Sequence, residues 1–140
     1  LRGDVEYAKK NFLKRLIFYK NFRKSLILFG SETEVEVKNK KSKGGRVQHF
    51  GALCAKELPK IFEKYVFFGL ATDGHDYTRK ISGIIYDEID TSKILKKKFF
   101  YENSIKKFDS FTLFKKFKLH IKLKKPTKNN VFDVIGLYID

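Results

Sequence analysis

Apolar residues in the first part of the chain recur at helical spacing. Val5, Ala8, Phe12, Leu13, Leu16 and Ile17 share one stripe, and the lysines lie largely between them. That pattern predicts a helix over residues 4–20 with Asp4 as its N-cap. The run Ser25-Leu26-Ile27-Leu28-Phe29, stopped by Gly30, predicts a short buried strand. Thr33, Val35 and Val37 then alternate with Glu34 and Glu36, the period of a half-exposed strand. A polar connection from Lys38 to Lys43 leads to Gly44-Gly45. Beyond it Phe50, Leu53, Cys54, Leu58, Ile61 and Phe62 fall on one face of an expected helix that Pro59 kinks or ends. Residues 65–71 predict a second buried strand, opening into the turn-rich Thr72-Asp73-Gly74-His75-Asp76.

Short helices are expected from 79 to 117. Thr91 or Ser92 would cap one, and Asp109 or Ser110 another that carries Phe111, Phe114 and Phe117 inward. Leu119, Ile121 and Leu123 suggest a strand, Pro126 to Asn130 a loop, and Val131 to Ile139 a last strand. Strands alternating with helices predict an α/β domain, three-layer-like, with a mixed, partly parallel sheet flanked by helices. With no internal repeat and a length suited to one core, residues 1–140 are expected to form a single domain.

Composition narrows the class. The longest apolar stretch, residues 65–71, falls far short of the roughly 20 residues that span a bilayer. Charge at Arg2, Asp4 and Glu6 argues against a signal peptide. A single cysteine, Cys54, has no internal disulfide partner and is expected to be a small core residue, so a reducing, cytoplasmic setting is expected. Methionine is absent even at position 1, as a piece of a longer gene product or a trimmed chain would show.

The formal net charge of +15 invites a nucleic-acid partner. Against this, the phenylalanines follow core periodicity, and no RNA-recognition or helix-turn-helix signature is present. The lysine-rich bias also fits AT-rich coding or a charged surface. The distribution is more informative than the total. Residues 71–90 carry a net charge of −3 and residues 91–125 a net charge of +10. An acidic island in a basic chain suggests a local site for a metal or a hydroxyl group.

Three loops have the composition for chemistry. In Lys43-Gly44-Gly45-Arg46-Val47-Gln48, two glycines let backbone N–H groups approach a ligand at a helix start, and Arg46 offers a fork for a phosphate or carboxylate. Read alone, such a segment is more often only a turn, and it lacks P-loop spacing. In Ala71-Thr72-Asp73-Gly74-His75-Asp76, directly after a buried strand, a carboxylate could hold Mg²⁺ or accept a hydroxyl proton; a tight turn at Asp73-Gly74 is the other reading. In Pro126-Thr127-Lys128-Asn129-Asn130, Thr127 and Asn130 are candidate donors within what is otherwise an ordinary polar loop. His49, His75 and His120 show no metal-ligand spacing.

The order of these segments resembles the C-terminal domain of type II glycerate kinases, called MOFRL. Its motifs are a Gly-Gly-Glu-Thr strand, a Gly-Arg-Gly-Gly-Arg-Asn-Gln-Glu helix start, a Gly-Thr-Asp-Gly-x-Asp-Gly-Pro strand end, and a closing Thr-Gly-Pro-Thr-Gly-Thr-Asn-Val-Asn-Asp. The corresponding segments here are Gly30-Ser31-Glu32-Thr33, Lys43-Gly44-Gly45-Arg46-Val47-Gln48-His49, Ala71-Thr72-Asp73-Gly74-His75-Asp76-Tyr77-Thr78, and Lys125-Pro126-Thr127-Lys128-Asn129-Asn130-Val131-Phe132-Asp133. Asp109-Ser110 also resembles a family Asn-Asp-Ser segment. The departures are Val47 and His49 for Asn and Glu, Tyr77-Thr78 for Gly-Pro, Lys124-Lys125 for Thr-Gly, and Phe132 for Asn.

The resemblance implies a larger N-terminal lobe, in the same gene or as a separate subunit, which contributes an essential lysine. The active site then lies in the cleft between the lobes, where ATP with Mg²⁺ phosphorylates the 2-hydroxyl of D-glycerate. It implies catalytic roles for Arg46 and Asp73, with Asp73 also the candidate Mg²⁺ ligand. Gly44, Gly45, Gln48, Thr72, Gly74, Thr127 and Asn130 would bind substrate or phosphate. Little turnover is expected from these 140 residues alone. A diverged, non-catalytic metabolite-binding relative and a basic nucleic-acid module are the alternatives, and a homo-oligomer is left open.

Overall fold

The computed structural model describes residues 1–35, 42–78, 80–123, 127 and 131–140. The first helix, α1 (Val5–Leu16), follows a short strand, β1 (Arg2–Asp4). Asp4 caps it, its carboxylate accepting from the N–H groups of Glu6 and Tyr7. A 3₁₀ turn at Ile17–Tyr19 replaces the last expected helical turn. The two strands expected on either side of Gly30 are one, β2 (Ser25–Glu34), because Gly30 sits in extended backbone and does not stop the run. Val37 lies outside the described residues.

Helix α2 (Arg46–Ala55) ends before Pro59, which falls in a separate 3₁₀ turn, Leu58–Lys60. Strand β3 is Tyr65–Ala71, as expected. The stretch expected to be all helical opens instead with a strand, β4 (Gly83–Asp87), whose β-branched and aromatic residues suit a sheet. Three helices follow: α3 (Glu88–Lys96), α4 (Lys98–Lys106) and α5 (Ser110–Phe117). Asp87 caps α3 in place of Thr91 or Ser92, while Asp109 caps α5 as expected. Strand β5 (His120–Ile121) and strand β6 (Asp133–Ile139) complete the sheet.

The six strands lie in the order β1-β2-β6-β3-β4-β5. The mixed sheet flanked by helices agrees with the sequence expectation, with its parallel part confined to the β1–β2 edge. Strands β2, β6, β3, β4 and β5 pair antiparallel. The helices pack on one face. Phe12 of α1 meets Phe29 edge-on at 5.1 Å and Phe50 of α2 at 5.4 Å. Phe67 of β3 stacks on Tyr86 of β4 at 4.9 Å, and Tyr86 on Phe114 of α5 at 6.0 Å. In place of a third layer, the opposite face leaves Leu26, Leu28, Ile85 and Tyr138 exposed among the described residues.

The core tyrosines keep their hydroxyls bonded. Tyr86 donates to the Gly51 carbonyl and Tyr101 to the Ala52 carbonyl, both at 2.8 Å, and Tyr65 donates to Thr91 at 2.9 Å. Two of these bonds tie α2 into the core. Gly51 lets the helix approach the sheet: a Cβ there would lie 2.2 Å from Ile84 and 3.0 Å from Phe67. The close seating fixes where α2 begins. Its first turn stands at the end of the sheet where β2 and β3 finish and β6 starts, with Asp133 in register between Ser31 and Ala71.

Candidate functional site

Four chain segments meet at that end of the sheet: the close of β2, the turn into α2, the loop after β3, and the start of β6. Asp76 holds two of them together. It is 2% exposed, and its carboxylate accepts from the N–H groups of Val47 at 3.1 Å and Gln48 at 2.8 Å. The positive end of α2, expected to face a ligand, is therefore occupied in part by a side chain of the protein itself. Gly45 is required here because a Cβ would come within 1.9 Å of Asp76 Oδ1 and 2.7 Å of the Asp76 backbone carbonyl carbon.

Gln48 does not serve as the ligand-binding residue the sequence suggested. It is fully buried; its Nε2 donates to the Asp76 carbonyl at 2.7 Å and its Oε1 meets His120 Nε2 at 2.9 Å. The amide braces the 72–76 loop from behind.

Arg46 stands at the centre. Asp133, 1% exposed, grips one edge of its guanidinium in a two-point pair, Nε to Oδ2 at 2.5 Å and Nη2 to Oδ1 at 2.9 Å. The hydrogen bonds it donates to Asp133 hold Arg46 firmly charged, above its ordinary range, and the charges of Asp133, Asp76 and Asp73 add to this. The Arg46 side chain remains 39% exposed. It separates two open hollows. One of about 380 Å³ is lined by Ser31, Thr33, Glu34, Arg46, Phe132 and Asp133 among others. The other, about 390 Å³, is bounded by Thr33, Gly44, Gly45, Arg46, His75 and Tyr77 together with Asp76.

The remaining expected residues gather here, several of them bound to one another. Asp73 accepts from the His75 N–H at 2.8 Å, forming an Asx turn. Gly74 takes the left-handed backbone at φ 85° that this turn requires. Thr72 donates to the Phe132 carbonyl at 2.6 Å and accepts from the Val131 N–H at 3.2 Å, while Thr127 donates to the Thr72 carbonyl. Thr72 thus ties Thr127, Val131 and Phe132 to the end of β3. Asn130 lies outside the described residues. Asp133 and Asp76 lay inside the motifs but were not picked as site residues. Sequence offered Asp73 and Asp76 in one motif and Asp133 in another, with no sign of which would be buried.

Two departures from the family motifs carry strain. Tyr77 has φ 90° and Phe132 has φ 75°, left-handed conformations that bulky side chains rarely adopt. These positions hold Gly and Asn in the motifs, the two residues that enter this region most readily. Both aromatics line the hollows beside Arg46.

Burial sets two opposing titrations. Burial pushes the Asp76 carboxyl up to about 6, against the pull of its hydrogen bonds from Gln48 and Val47. Burial holds the His49 imidazole down at about 4, stacked on Phe108. The native state favours protonated Asp76, so its contribution is present below the ordinary value of 3.8 and is lost as pH rises through about 6. His49 favours the neutral form, so its contribution is present above 6.5 and is lost as pH falls through about 4. The two slopes oppose each other. His49→Phe, which keeps a ring against Phe108, is expected to leave a fall in unfolding free energy as pH rises from about 4 to 6. Urea titrations across that range check it; a stability that rises with pH in the variant would reverse the assignment. Burial also raises the Cys54 thiol, and the buried residue has no role at this site.

The chain belongs to the MOFRL family, which its residues 25–133 match. An uncharacterised protein of Caenorhabditis elegans is 31% identical over 121 residues, covering 81% of this chain and 25% of that protein. The crystal structure of a glycerate kinase from Thermotoga maritima matches all of this chain and 34% of its own, with 28% identity and a TM-score of 0.81. A Pyrococcus horikoshii protein shares the fold, with a TM-score of 0.79 at 23% identity, over 99% of this chain and 32% of its own. The chain thus spans between a quarter and a third of the length of these relatives. It is a glycerate kinase-related domain, and no described helix is long and apolar enough to cross a membrane.

Proposed function

We propose that this domain forms one wall of a cleft in which a phosphoryl group passes from ATP to the 2-hydroxyl of D-glycerate. The observation that carries this reading is the posture of Arg46. Asp133 fixes one edge of its fork, and the side chain stays partly exposed between two hollows. A cation held in place before a ligand arrives stabilises transferred charge without reorganising. Gly44 and Gly45 line one of the two hollows and would offer backbone N–H groups to a ligand there. Asp73 stands on the next loop, near enough for its charge to act on Arg46.

No group of three or more His, Cys, Asp or Glu side chains suited to a metal occurs among the described residues. One carboxylate nonetheless fits Mg²⁺ as such enzymes bind it, since the nucleotide phosphates and water supply most ligands. Asp73 would hold the ion, which would neutralise charge on the transferring phosphate. Thr72 and Thr127, bonded to each other, would line the other side of the site.

The other wall is assigned to an N-terminal lobe, and the test supplies one. The chain is joined to the part of the Thermotoga maritima enzyme that it does not match, and ADP release from ATP and Mg²⁺ is followed with and without D-glycerate. Glycerate-dependent turnover in the hybrid, absent from the chain alone, is the expected result. A folded hybrid that binds glycerate without turnover would support the second reading, a non-catalytic metabolite binder. Tyr77 and Phe132 favour that reading, since both crowd the hollows in strained conformations.

A further inference from the structure

Buried polar atoms rarely lack a partner, because each orphan forfeits its bond to water with nothing in return. Among the described residues four side-chain atoms are in that state: Thr33 Oγ1, His75 Nε2, Ser110 Oγ and His49 Nδ1. Two of the four share one hollow. Thr33 and His75 both line the hollow that also holds Gly44, Gly45 and Arg46. Ser110 Oγ lies against Gly44, only 2.1 Å from where a Cβ would stand, but does not line the hollow. Thr33 is 4% exposed, so bulk water does not satisfy it.

Their chemistry narrows what they are for. A threonine hydroxyl and an imidazole nitrogen each bond well to an alcohol. A second anion would be a poor occupant, since Asp76 and Glu34 line the same hollow. An alcohol meets no such repulsion and can donate to a carboxylate. Arg46 alone among the lining side chains offers a fixed positive charge for an acid group. Position 75 is the unspecified residue of the strand-end motif, so His75 is a feature of this chain rather than of the motif.

We propose that Thr33 and His75 are specificity-determining residues that read the hydroxyl groups of a hydroxylated acid whose carboxylate sits on Arg46. This deepens the phosphoryl-transfer reading and rests on it for the choice of glycerate. A site built to bond a hydroxyl rejects an analogue lacking it, because its buried polar groups are then left unpaired. The ligand class is a short acid with hydroxyls on the carbons next to its carboxylate. Plain carboxylic acids and inorganic anions are excluded.

The test is direct binding to the full 140-residue chain, without ATP or a second lobe. D-glycerate, lactate (no 3-hydroxyl) and propionate (no hydroxyl) are titrated while the Thr33 amide and the His75 ring are followed by NMR. D-glycerate is expected to bind at least about tenfold tighter than propionate, with lactate between them. Thr33→Val should close that gap to about threefold or less, while melting no lower than the parent, because it removes a hydroxyl that had no partner. Thr33→Ser should retain the gap. Equal affinities for the three acids, no movement of the Thr33 and His75 signals, or a gap that survives Thr33→Val would each overturn the assignment; the last is what a trapped water would give. Preference for glycerate with a silent hybrid would keep the seat and remove the phosphoryl step. Turnover without preference would do the reverse.

Discussion

Arg46→Ala is expected to lower kcat/KM for D-glycerate in the hybrid enzyme by about 10²–10³-fold. The interaction lost is a charge-assisted contact from a guanidinium that Asp133 already holds in place. Most of the loss should fall in KM with the glycerate carboxylate on Arg46, as proposed above; a loss confined to kcat would put the transferring phosphate there instead. Arg46→Lys should recover little, because a point charge cannot keep two bonds to Asp133 and still present a third to a ligand. Stability will also suffer. Asp133 is 1% exposed and would keep an uncompensated charge or take up a proton. Removing one partner of a buried pair costs roughly 3–5 kcal/mol, reduced here to about 2 kcal/mol by the partial exposure of Arg46. Rates must therefore be measured well below the melting temperature of the variant. A kcat/KM within about threefold of the parent would take Arg46 out of the site.

The second large effect belongs to Gly45, which has no functional atom beyond its backbone. Gly45→Ala should destabilise the domain by about 3 kcal/mol and lower Tm by about 10 °C. Its backbone, at φ −90°, suits any residue, so the cost is purely one of space. A Cβ would overlap both the carboxylate of Asp76 and its backbone, and Asp76 cannot retreat without releasing the N–H groups of Val47 and Gln48. Two buried donors would be orphaned together. Calorimetry decides the matter: a Tm within about 2 °C of the parent would mean that the loop relaxes and that Asp76 is not the brace described here.

These two predictions rest on different kinds of legibility. Arg46 could be picked from the sequence because a Gly-Gly-Arg turn at a helix start, placed in order with three other segments, is specific in a way that one turn is not. The same order pointed to the MOFRL family. Its partner Asp133 is 87 residues away. No local pattern says that the first residue of β6 will stand beside the first residue of α2. Gln48 was misassigned for the same reason. Its place two residues after Arg46 suggested a ligand, yet two positions along a helix turn a side chain by about 200°, here into the core toward Asp76 and His120.

The elements show a similar division. The stripe of Val5, Ala8, Phe12 and Leu16, the continuous apolar run of β3, and the caps at Asp4 and Asp109 are short-range facts, set by backbone geometry and by hydrogen bonds over two or three residues. They were visible in the letters. Strand β4 was not, because five residues between a polar loop and a helix form too short a pattern, and its pairing with Val66–Leu70 decides its state. Strand order, the lone parallel edge and the bare outer face are likewise outcomes of pairing at long range. So the chain by itself determined its helices, its principal strands, its family and the three loops that carry the motifs, since each is encoded within a few residues. Only the tertiary structure decided which carboxylates are buried as braces and which stay available, and that Thr33 and His75, each with a buried polar atom lacking a partner, line one hollow. Burial and orphaned hydrogen bonds are properties of what surrounds an atom, and those surroundings come from segments far apart in the chain.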